Sequence, residues 1–209
     1  MATYLFDFDG TLVDSMDTYT GVMLSILDKN GIKYEKNIVK IITPLGYLGT
    51  ANYFLSIGVK SSVLQLVCEM RDSMVYEYSN NIGEKSNVIS TLEALKARGD
   101  SLNILTASPH ATLDPCLKRL GIFSLFDNVW SCDDFETTKA NPEIYKMAAE
   151  KIGKPVSEII FLDDNFNAIS TAKEAGMRVF GVYDKSSEEY IEEMKKISER
   201  YIYDFSELI

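Results

Sequence analysis

Two aspartates near the amino terminus, Asp7 and Asp9, have the spacing and side chains of a catalytic pair. Because side chains alternate along a strand, both carboxylates point the same way if a strand ends here. A carboxylate with a reference pKa of about 4 is ionised at neutral pH, so Asp7 can attack phosphorus without a base. Asp9 can protonate the leaving oxygen and later deprotonate an attacking water. Alone, however, such a pair is typical of a solvated turn, so the hypothesis needs support elsewhere.

Three later clusters supply that support. Thr106 ends a predicted strand, where its hydroxyl and a free backbone N–H can hold phosphate oxygens. Lys139 opens a predicted helix and can face both a phosphate and the nucleophile. Asp163 and Asp164 end another strand and are hard oxygen ligands that suit Mg²⁺. Taken alone, the Thr106 cluster is better explained as a helix cap, Lys139 as an ordinary exposed lysine, and the aspartate pair as a turn.

Taken together, the clusters favour a functional site. All lie at the carboxyl ends of predicted strands, where ligands bind in parallel α/β sheets. Two like charges about 4 Å apart repel by about 4 kcal/mol at an effective dielectric of about 20. Gathering Asp7, Asp9 and Asp164 at one edge therefore needs a divalent cation and Lys139 to compensate. A fold that keeps these carboxylates together despite their repulsion is expected to need them for its function.

The elements that position these residues follow from short apolar runs. Strands are predicted at residues 3–7, 102–106, 128–131, 159–163 and 179–183. Helical segments lie between the last four, and one of them begins at Asn141-Pro142-Glu143, where Asn suits the N-cap and Pro the first helical position. This alternation predicts a parallel α/β sheet.

A helical block interrupts the alternation after the first strand. Apolar residues recur at helical spacing from Tyr19 to Leu27, and further helices are predicted at 50–57 and 62–78. We therefore predict a core domain formed by residues 1–14 and 84–209 and an inserted helical domain formed by residues 15–83.

Within the insert, residues 43–50 are the candidate substrate loop. Gly46 and Gly49 would allow close backbone approach, and Tyr47 could cover a leaving group, although a helix–helix turn is an equal alternative. The segment carries no Lys or Arg, so it predicts a leaving group without a second strong anion.

Composition excludes several classes of function. The net charge of −10 disfavours binding to a nucleic-acid backbone, and no apolar run approaches the about 18 residues of a membrane span. The amino terminus does not resemble a signal peptide. Cys68, Cys116 and Cys132 form no CxxC pair and are expected to be reduced. We therefore expect a cytoplasmic protein, monomeric or weakly dimeric, that binds neither nucleic acid nor membranes.

The order of the motifs resembles the haloacid dehalogenase superfamily. The motifs are DFDGTLVDS from Asp7, a strand ending in Thr106, KANPEIY from Lys139, and the Asp163-Asp164 pair followed by a helix that ends in AGM. The sequence most resembles the branch with a helical cap, which includes phosphoglycolate phosphatase and β-phosphoglucomutase. The resemblance implies a Rossmann-like parallel sheet of five strands with helices on both faces, an inserted α-helical cap, and a Mg²⁺-dependent phosphatase acting on a small phosphorylated metabolite.

The resemblance also implies roles for the residues named above. Asp7 would be the nucleophile that forms a phospho-aspartyl intermediate, and Asp9 the general acid and base. Thr106, the amide of Ala107 and Lys139 would bind phosphate. Mg²⁺ would be held by Asp7, the backbone carbonyl of Asp9 and Asp164, with Asp163 in support. The family often has a further acid or amide at the position of Ala168, so metal support there is missing.

Other activities of this superfamily are less consistent with the sequence. Removal of halide from carbon needs no acid at Asp9. A phosphomutase is disfavoured because Tyr19 and Gly49 stand where its cap histidine and arginine would fall. A phosphonate hydrolase needs a cap lysine that forms a Schiff base, and it stays open. The available cap lysines are Lys29, Lys33, Lys36, Lys40 and Lys60.

Proteins of other classes fit less well. Phospho-acceptor signalling domains have their acids and lysine in a different order and lack the insert. A sugar transferase that uses an Asp-x-Asp pair accounts for neither Thr106 nor Lys139. A non-catalytic binding protein is disfavoured because every catalytic position is filled. His110, which follows the phosphate-binding motif, is expected either to contact substrate or to face solvent.

Overall fold

The computed structural model describes residues 1–35 and 37–209, which form two compact units. One unit contains residues 1–14 and 83–209, and the other contains residues 15–82. Lys36, one of the five lysines considered for a phosphonate hydrolase, lies outside the described residues.

The larger unit is built on a parallel sheet. Its strands are β1 (Thr3–Phe6), β2 (Ser101–Thr106), β3 (Asn128–Ser131), β4 (Ile159–Asp163), β5 (Arg178–Val182) and β6 (Arg200–Ile202). Within the described ranges the strand order is β3-β2-β1-β4-β5-β6, and every neighbouring pair is parallel. The predicted Rossmann-like parallel sheet is confirmed. Because β1 lies between β2 and β4, their carboxyl ends meet at one edge.

The expectation of five strands is wrong, because β6 adds a sixth at the sheet edge beside β5. Its three residues follow a charge-rich helical stretch and are too few to form an alternating or apolar pattern. The first strand also ends at Phe6, one residue before the predicted end. The Asp7 amide nevertheless continues the hydrogen bonding and donates to the Leu162 carbonyl at 2.8 Å.

The remaining elements are helical. In the described chain the α-helices are α1 (Met16–Lys29), α2 (Ile38–Ile42), α3 (Gly46–Ser56), α4 (Val63–Asn80), α5 (Val88–Ala97), α6 (His110–Arg119), α7 (Glu143–Ile152), α8 (Phe166–Glu174) and α9 (Ile191–Ile197). Helix α7 begins at Glu143, one residue after the predicted first position at Pro142, and the Asn141 side chain accepts a hydrogen bond from the Glu143 amide at 3.1 Å. None of the described helices is long and apolar enough to cross a membrane.

A buried cluster between the sheet and helices α7, α8 and α9 forms the core below the site. It includes Phe161 of β4, Ile144 and Tyr145 of α7, Ile169 of α8 and Met194 of α9, each fully buried. The Tyr145 ring packs edge-on against Phe161 with centroids 5.1 Å apart. This packing holds α7 against β4. It therefore also positions the segment just before α7, which contains Lys139.

The smaller unit packs α1 and α3 against α4, with Met23, Phe54 and Met70 fully buried. The expectation of an irregular loop at residues 43–50 is wrong. Residues Thr43–Leu45 form a single 3-10 turn, and Gly46 starts α3. The alternative of a helix–helix turn therefore describes the first three residues only. Tyr47 lies in the first turn of α3 and stacks on Tyr19 of α1, with ring centroids 6.3 Å apart.

Candidate active site

Three buried carboxylates meet where β1 and β4 end. Asp7 directly follows β1, Asp163 ends β4, and Asp164 follows it. Each is at most 5% exposed, and one oxygen from each lies within 4.8 Å of the others. The sequence predicted that Asp7, Asp9 and Asp164 gather at one edge because their clusters follow parallel strands, and the structure groups Asp7, Asp163 and Asp164.

Lys139 is the cation that faces this cluster. Its Nζ donates to Oδ1 of Asp7 and, at 2.8 Å, to Oδ2 of Asp163. Burial lowers the pKa of Lys139, but the charges of Asp163 and Asp7 raise it by more than burial lowers it. The pKa therefore lies well above the usual value. The Tyr145 hydroxyl lies 3.1 Å from the Lys139 carbonyl and ties the lysine to the core.

The carboxylates carry more negative charge than Lys139 balances. Burial raises the pKa of Asp7 to about 7, against the lowering effect of Lys139 and with further raising by Asp163 and Asp9. Burial also raises the pKa of Asp164, and the charges of Asp163 and Asp7 add to this effect. A bound cation would favour the ionised forms and reverse these shifts. Buried and closely spaced carboxylate oxygens with excess negative charge are suitable ligands for a hard divalent cation.

The hydrogen bonds divide the roles of the three carboxylates. Both oxygens of Asp163 accept hydrogen bonds, Oδ2 from Lys139 and Oδ1 from the Asn165 amide at 2.7 Å. Asp164 accepts at Oδ1 only, from Thr11 at 3.0 Å, and Oδ2 has no donor in the described part of the chain. Asp164 is therefore better placed than Asp163 to bind a cation directly.

The loop after β1 is fitted to Asp164. The Thr11 hydroxyl donates to Oδ1 of Asp164 and accepts from the Asp164 amide at 3.1 Å, so it closes a two-bond ring. Gly10 has a φ of +73°, which disfavours other residues. The loop after β1 and the loop after β4 are thus held together by direct contacts.

Asp9 is held by a residue that the sequence interpretation missed. Oγ of Ser108 donates to Oδ2 of Asp9 at 2.5 Å, and the Ser108 amide donates to the Thr106 hydroxyl at 3.1 Å. Thr106 is buried at the end of β2, and Ala107 is exposed beside it. The only signal available in the sequence was a second hydroxyl two residues after the strand-ending threonine.

A second lysine binds the other side of the loop after β1. Nζ of Lys85 donates to the carbonyls of Gly10 at 2.6 Å and Tyr183 at 2.5 Å and to Oδ2 of Asp184 at 2.9 Å. Although burial raises the pKa of Asp184, hydrogen bonds from Ser186 and Lys85 hold it below the usual value. The sequence assigned no role in the site to Lys85 or Asp184, because nothing local connects residues 99 positions apart.

His110 contacts carboxylates of its own chain. Its Nδ1 lies 2.8 Å from Asp114 and its Nε2 lies 2.9 Å from Asp134. Hydrogen bonds to Asp114 and then to Asp134 raise the pKa of His110 above 6.5. Both ring nitrogens are thus engaged, which favours a structural role at the start of α6.

Most predicted site residues meet in the larger unit. Those brought together are Asp7, Asp9, Thr106, Ala107, Lys139, Asp163 and Asp164. Tyr47 belongs to the smaller unit. Ala168 has no side-chain oxygen to offer a metal, and its carbonyl lies 3.1 Å from the Tyr145 hydroxyl.

The sequence of this chain is similar to a known protein family and to named phosphatases. A family model described as haloacid dehalogenase-like hydrolase matches residues 4–182. The pyrophosphatase PpaX of Bacillus velezensis is 30% identical over 179 residues, which cover 85% of this chain and 81% of that protein. A phosphorylated carbohydrates phosphatase of Thermotoga maritima is 23% identical over 184 residues, which cover 87% of this chain and 85% of that protein.

Solved structures show the same fold. A HAD hydrolase of family IA, variant 3, from Entamoeba histolytica superposes with a TM-score of 0.82 at 21% identity, covering 100% of this chain and 96% of that one. CbbY from Rhodobacter sphaeroides, in complex with phosphate, gives a TM-score of 0.81 at 19% identity with the same coverage.

Proposed function

This chain belongs to the haloacid dehalogenase-like hydrolase family, and we propose that it is a Mg²⁺-dependent phosphatase that hydrolyses a small phosphate monoester through a phospho-aspartyl intermediate on Asp7. The observation that carries the proposal is the buried cluster of Asp7, Asp163 and Asp164 with Lys139 bonded to two of its members. The proposed nucleophile, a lysine cation and the proposed metal ligands thereby lie close together.

The chemistry takes two steps. In the first, an oxygen of Asp7 bonds to phosphorus while the bond from phosphorus to the leaving oxygen breaks, and Asp9 gives a proton to that oxygen. In the second, Asp9 takes a proton from water, the water oxygen bonds to phosphorus, and the bond to Asp7 breaks to release phosphate. Lys139 holds Oδ1 of Asp7, so Oδ2, which lacks a donor in the described ranges, is the attacking atom.

The residues around Asp7 would bind the metal ion and orient the phosphoryl group. We propose that Asp7, Asp164 and the backbone carbonyl of Asp9 hold Mg²⁺, with Asp163 in support. The ion, when bound, neutralises negative charge on the carboxylates and the phosphoryl oxygens. The Thr106 hydroxyl and the Ala107 amide would orient the phosphoryl group.

Inorganic pyrophosphate is the second candidate substrate, since the relative with 30% identity is named a pyrophosphatase. Residues 43–50 carry no Lys or Arg that could bind a second strong anion, which favours a monoester. We propose that residues 15–82 act as a cap and that Tyr47 contacts the leaving group. A screen of phosphorylated metabolites with pyrophosphate alongside separates the two. A kcat/KM for pyrophosphate above that of every ester would replace the monoester proposal.

Turnover of p-nitrophenyl phosphate tests the proposal directly. EDTA should abolish activity, and Mg²⁺ should restore it better than Ca²⁺, because the larger ion takes extra ligands and misplaces the carboxylate. Asp7→Asn should stay folded and lose nearly all turnover, since an amide cannot form the acyl phosphate. Asp72→Asn, which changes an exposed aspartate of α4, is the matched control. Full activity in EDTA, or more than a trace of activity in Asp7→Asn, would contradict the proposal.

A further inference from the structure

The hydroxyl of Tyr201 on β6 is a buried polar group that none of the described residues satisfies. Burying a hydroxyl without a partner is unfavourable, because its hydrogen bonds to water are lost. Nearly all such groups in proteins are paired with protein atoms or ordered water. The partner of this hydroxyl is therefore expected to be a molecule that is not part of the chain.

The strand register places Tyr201 on the same face of the sheet as Asp163. Asp163 of β4 pairs with Gly181 of β5, and Gly181 pairs with Tyr201. Residues in one such row project from the same face of the sheet. Gly181 has no side chain, and a Cβ there would lie 2.6 Å from Cδ2 of Tyr201. The tyrosine ring thus occupies the space over Gly181 that the side chain of any other residue there would fill.

The electrostatic surroundings agree with this placement. Burial raises the pKa of the Tyr201 hydroxyl, and the charges of Tyr203 and Asp164 raise it further, followed by those of Tyr183 and Asp184. The charge of Asp164 is thus among those that act on this hydroxyl.

Mg²⁺ in proteins usually keeps several of its waters, and those waters donate hydrogen bonds to nearby oxygens. On α8, Ala168 offers no polar side-chain atom for this purpose. We propose that a water bound to the cation at Asp164 donates a hydrogen bond to the Tyr201 hydroxyl, so that Tyr201 positions the hydration shell of the metal. This inference rests on the proposed function, because it requires a cation at Asp164.

Metal affinity gives the direct test. Binding of Mg²⁺ by calorimetry, and of Mn²⁺ by electron paramagnetic resonance, should be about 10-fold weaker in Tyr201→Phe than in the unaltered protein. Tyr203→Phe is the matched control, because Tyr203 is 55% exposed and its ring centroid lies 5.3 Å from that of Tyr201. It should bind both ions as the unaltered protein does. Equal affinity in Tyr201→Phe and the unaltered protein would overturn the inference.

Thermal unfolding separates this role from a purely structural one. Since the hydroxyl is unpaired without metal, metal-free Tyr201→Phe should be at least as stable as the unaltered protein. Its Tm should then rise less when Mg²⁺ is added, because it binds the ion more weakly. A lower Tm without metal combined with unchanged metal affinity would show that the hydroxyl bonds a structural water instead, which overturns the inference.

Asp164→Asn distinguishes failure of this inference from failure of the proposed function. If the unaltered protein binds no divalent cation, or if Asp164→Asn binds it equally well, the metal assignment itself fails and this inference falls with it. If binding depends on Asp164 but not on Tyr201, only the role of Tyr201 fails.

Discussion

Gly10 lies against the carboxylate of Asp164, and a Cβ at Gly10 would come within 2.6 Å of Oδ2 and 2.8 Å of Oδ1. Its φ of +73° also disfavours any residue with a side chain. Two independent constraints, space and backbone conformation, thus require glycine next to the proposed metal ligand. They can be separated by experiment.

Gly10→Ala should weaken Mg²⁺ binding, because the added methyl group displaces the Asp164 carboxylate. The left-handed backbone alone should cost about 1–2 kcal/mol of unfolding free energy. Gly153→Ala is the matched control, since Gly153 has a φ of +75° and a Cβ added there would meet no atom within 4 Å. Urea unfolding and Mg²⁺ titration of both variants should show a similar backbone cost but lost affinity only for Gly10→Ala. Unchanged affinity in Gly10→Ala would contradict the expected displacement.

Ser108→Ala should lower kcat by about tenfold with little change in KM, because Asp9 loses the hydroxyl that orients it for proton transfer. Ser108→Thr keeps a hydroxyl and should recover much of the loss. Steady-state kinetics with one alkyl phosphate checks both. If kcat of Ser108→Ala equals that of the unaltered enzyme, the contact with Asp9 has no part in the reaction.

Lys139→Ala should lower kcat/KM for every substrate by about 10²–10³, because the ammonium stabilises charge on both the carboxylates and the phosphoryl group. Tyr47→Ala should instead change the relative kcat/KM among substrates, since the phosphate-directed residues all belong to the larger unit. Tyr47→Phe, which keeps the ring that stacks on Tyr19, is the control for Tyr47. A panel of phosphate esters measures all three variants in parallel.

The reverse result on this panel of phosphate esters would contradict the roles expected for Tyr47 and Lys139. A uniform loss for Tyr47→Ala would show that it acts through stability or cap position. A selective loss for Lys139→Ala would show that the lysine contacts the leaving group.

His110 should make stability depend on pH. Its pKa in the folded protein is raised above 6.5, so its contribution is fully present below about pH 6.5 and is lost as pH rises through the folded value. Urea unfolding at pH 6 and pH 8 should therefore show a smaller loss for His110→Gln than for the unaltered protein. The side chain is 42% exposed, so added salt should reduce the effect.

The chain has a single histidine, so its NMR titration can be assigned without ambiguity. A pKa at or below 6.5 in the folded protein would contradict the hydrogen bonds to Asp114 and Asp134. Asp114→Asn should lower the measured pKa.

Two errors of the sequence interpretation concern segments whose structure depends on packing against other parts of the chain. The strand β6 was missed because Arg200–Ile202 is only three residues long, and its place is decided by pairing with β5. Residues 43–50 were expected to be irregular because they contain two glycines, yet Gly49 lies inside α3. Helix packing in the smaller unit outweighs the low helix propensity of glycine there.

The sequence by itself determined the parallel α/β sheet, the approximate positions of five of its strands along the chain and the residue types that gather where the strands end. These features are local, because alternation, apolar runs and cap residues act over a few positions, and the rule that parallel strands end at one edge does the rest. Asp7, Thr106, Lys139 and Asp164 were identifiable on that basis.

Only the tertiary structure decided which side chains hold these residues in place. Ser108 reaches Asp9 across 99 positions, and Lys85 reaches Asp184 across the same separation. Tyr201 is placed in one row with Gly181 and Asp163 by a strand that has no sequence signal. Such contacts depend on chain segments that are distant in sequence and become neighbours only when the sheet forms, so no local pattern of residues encodes them.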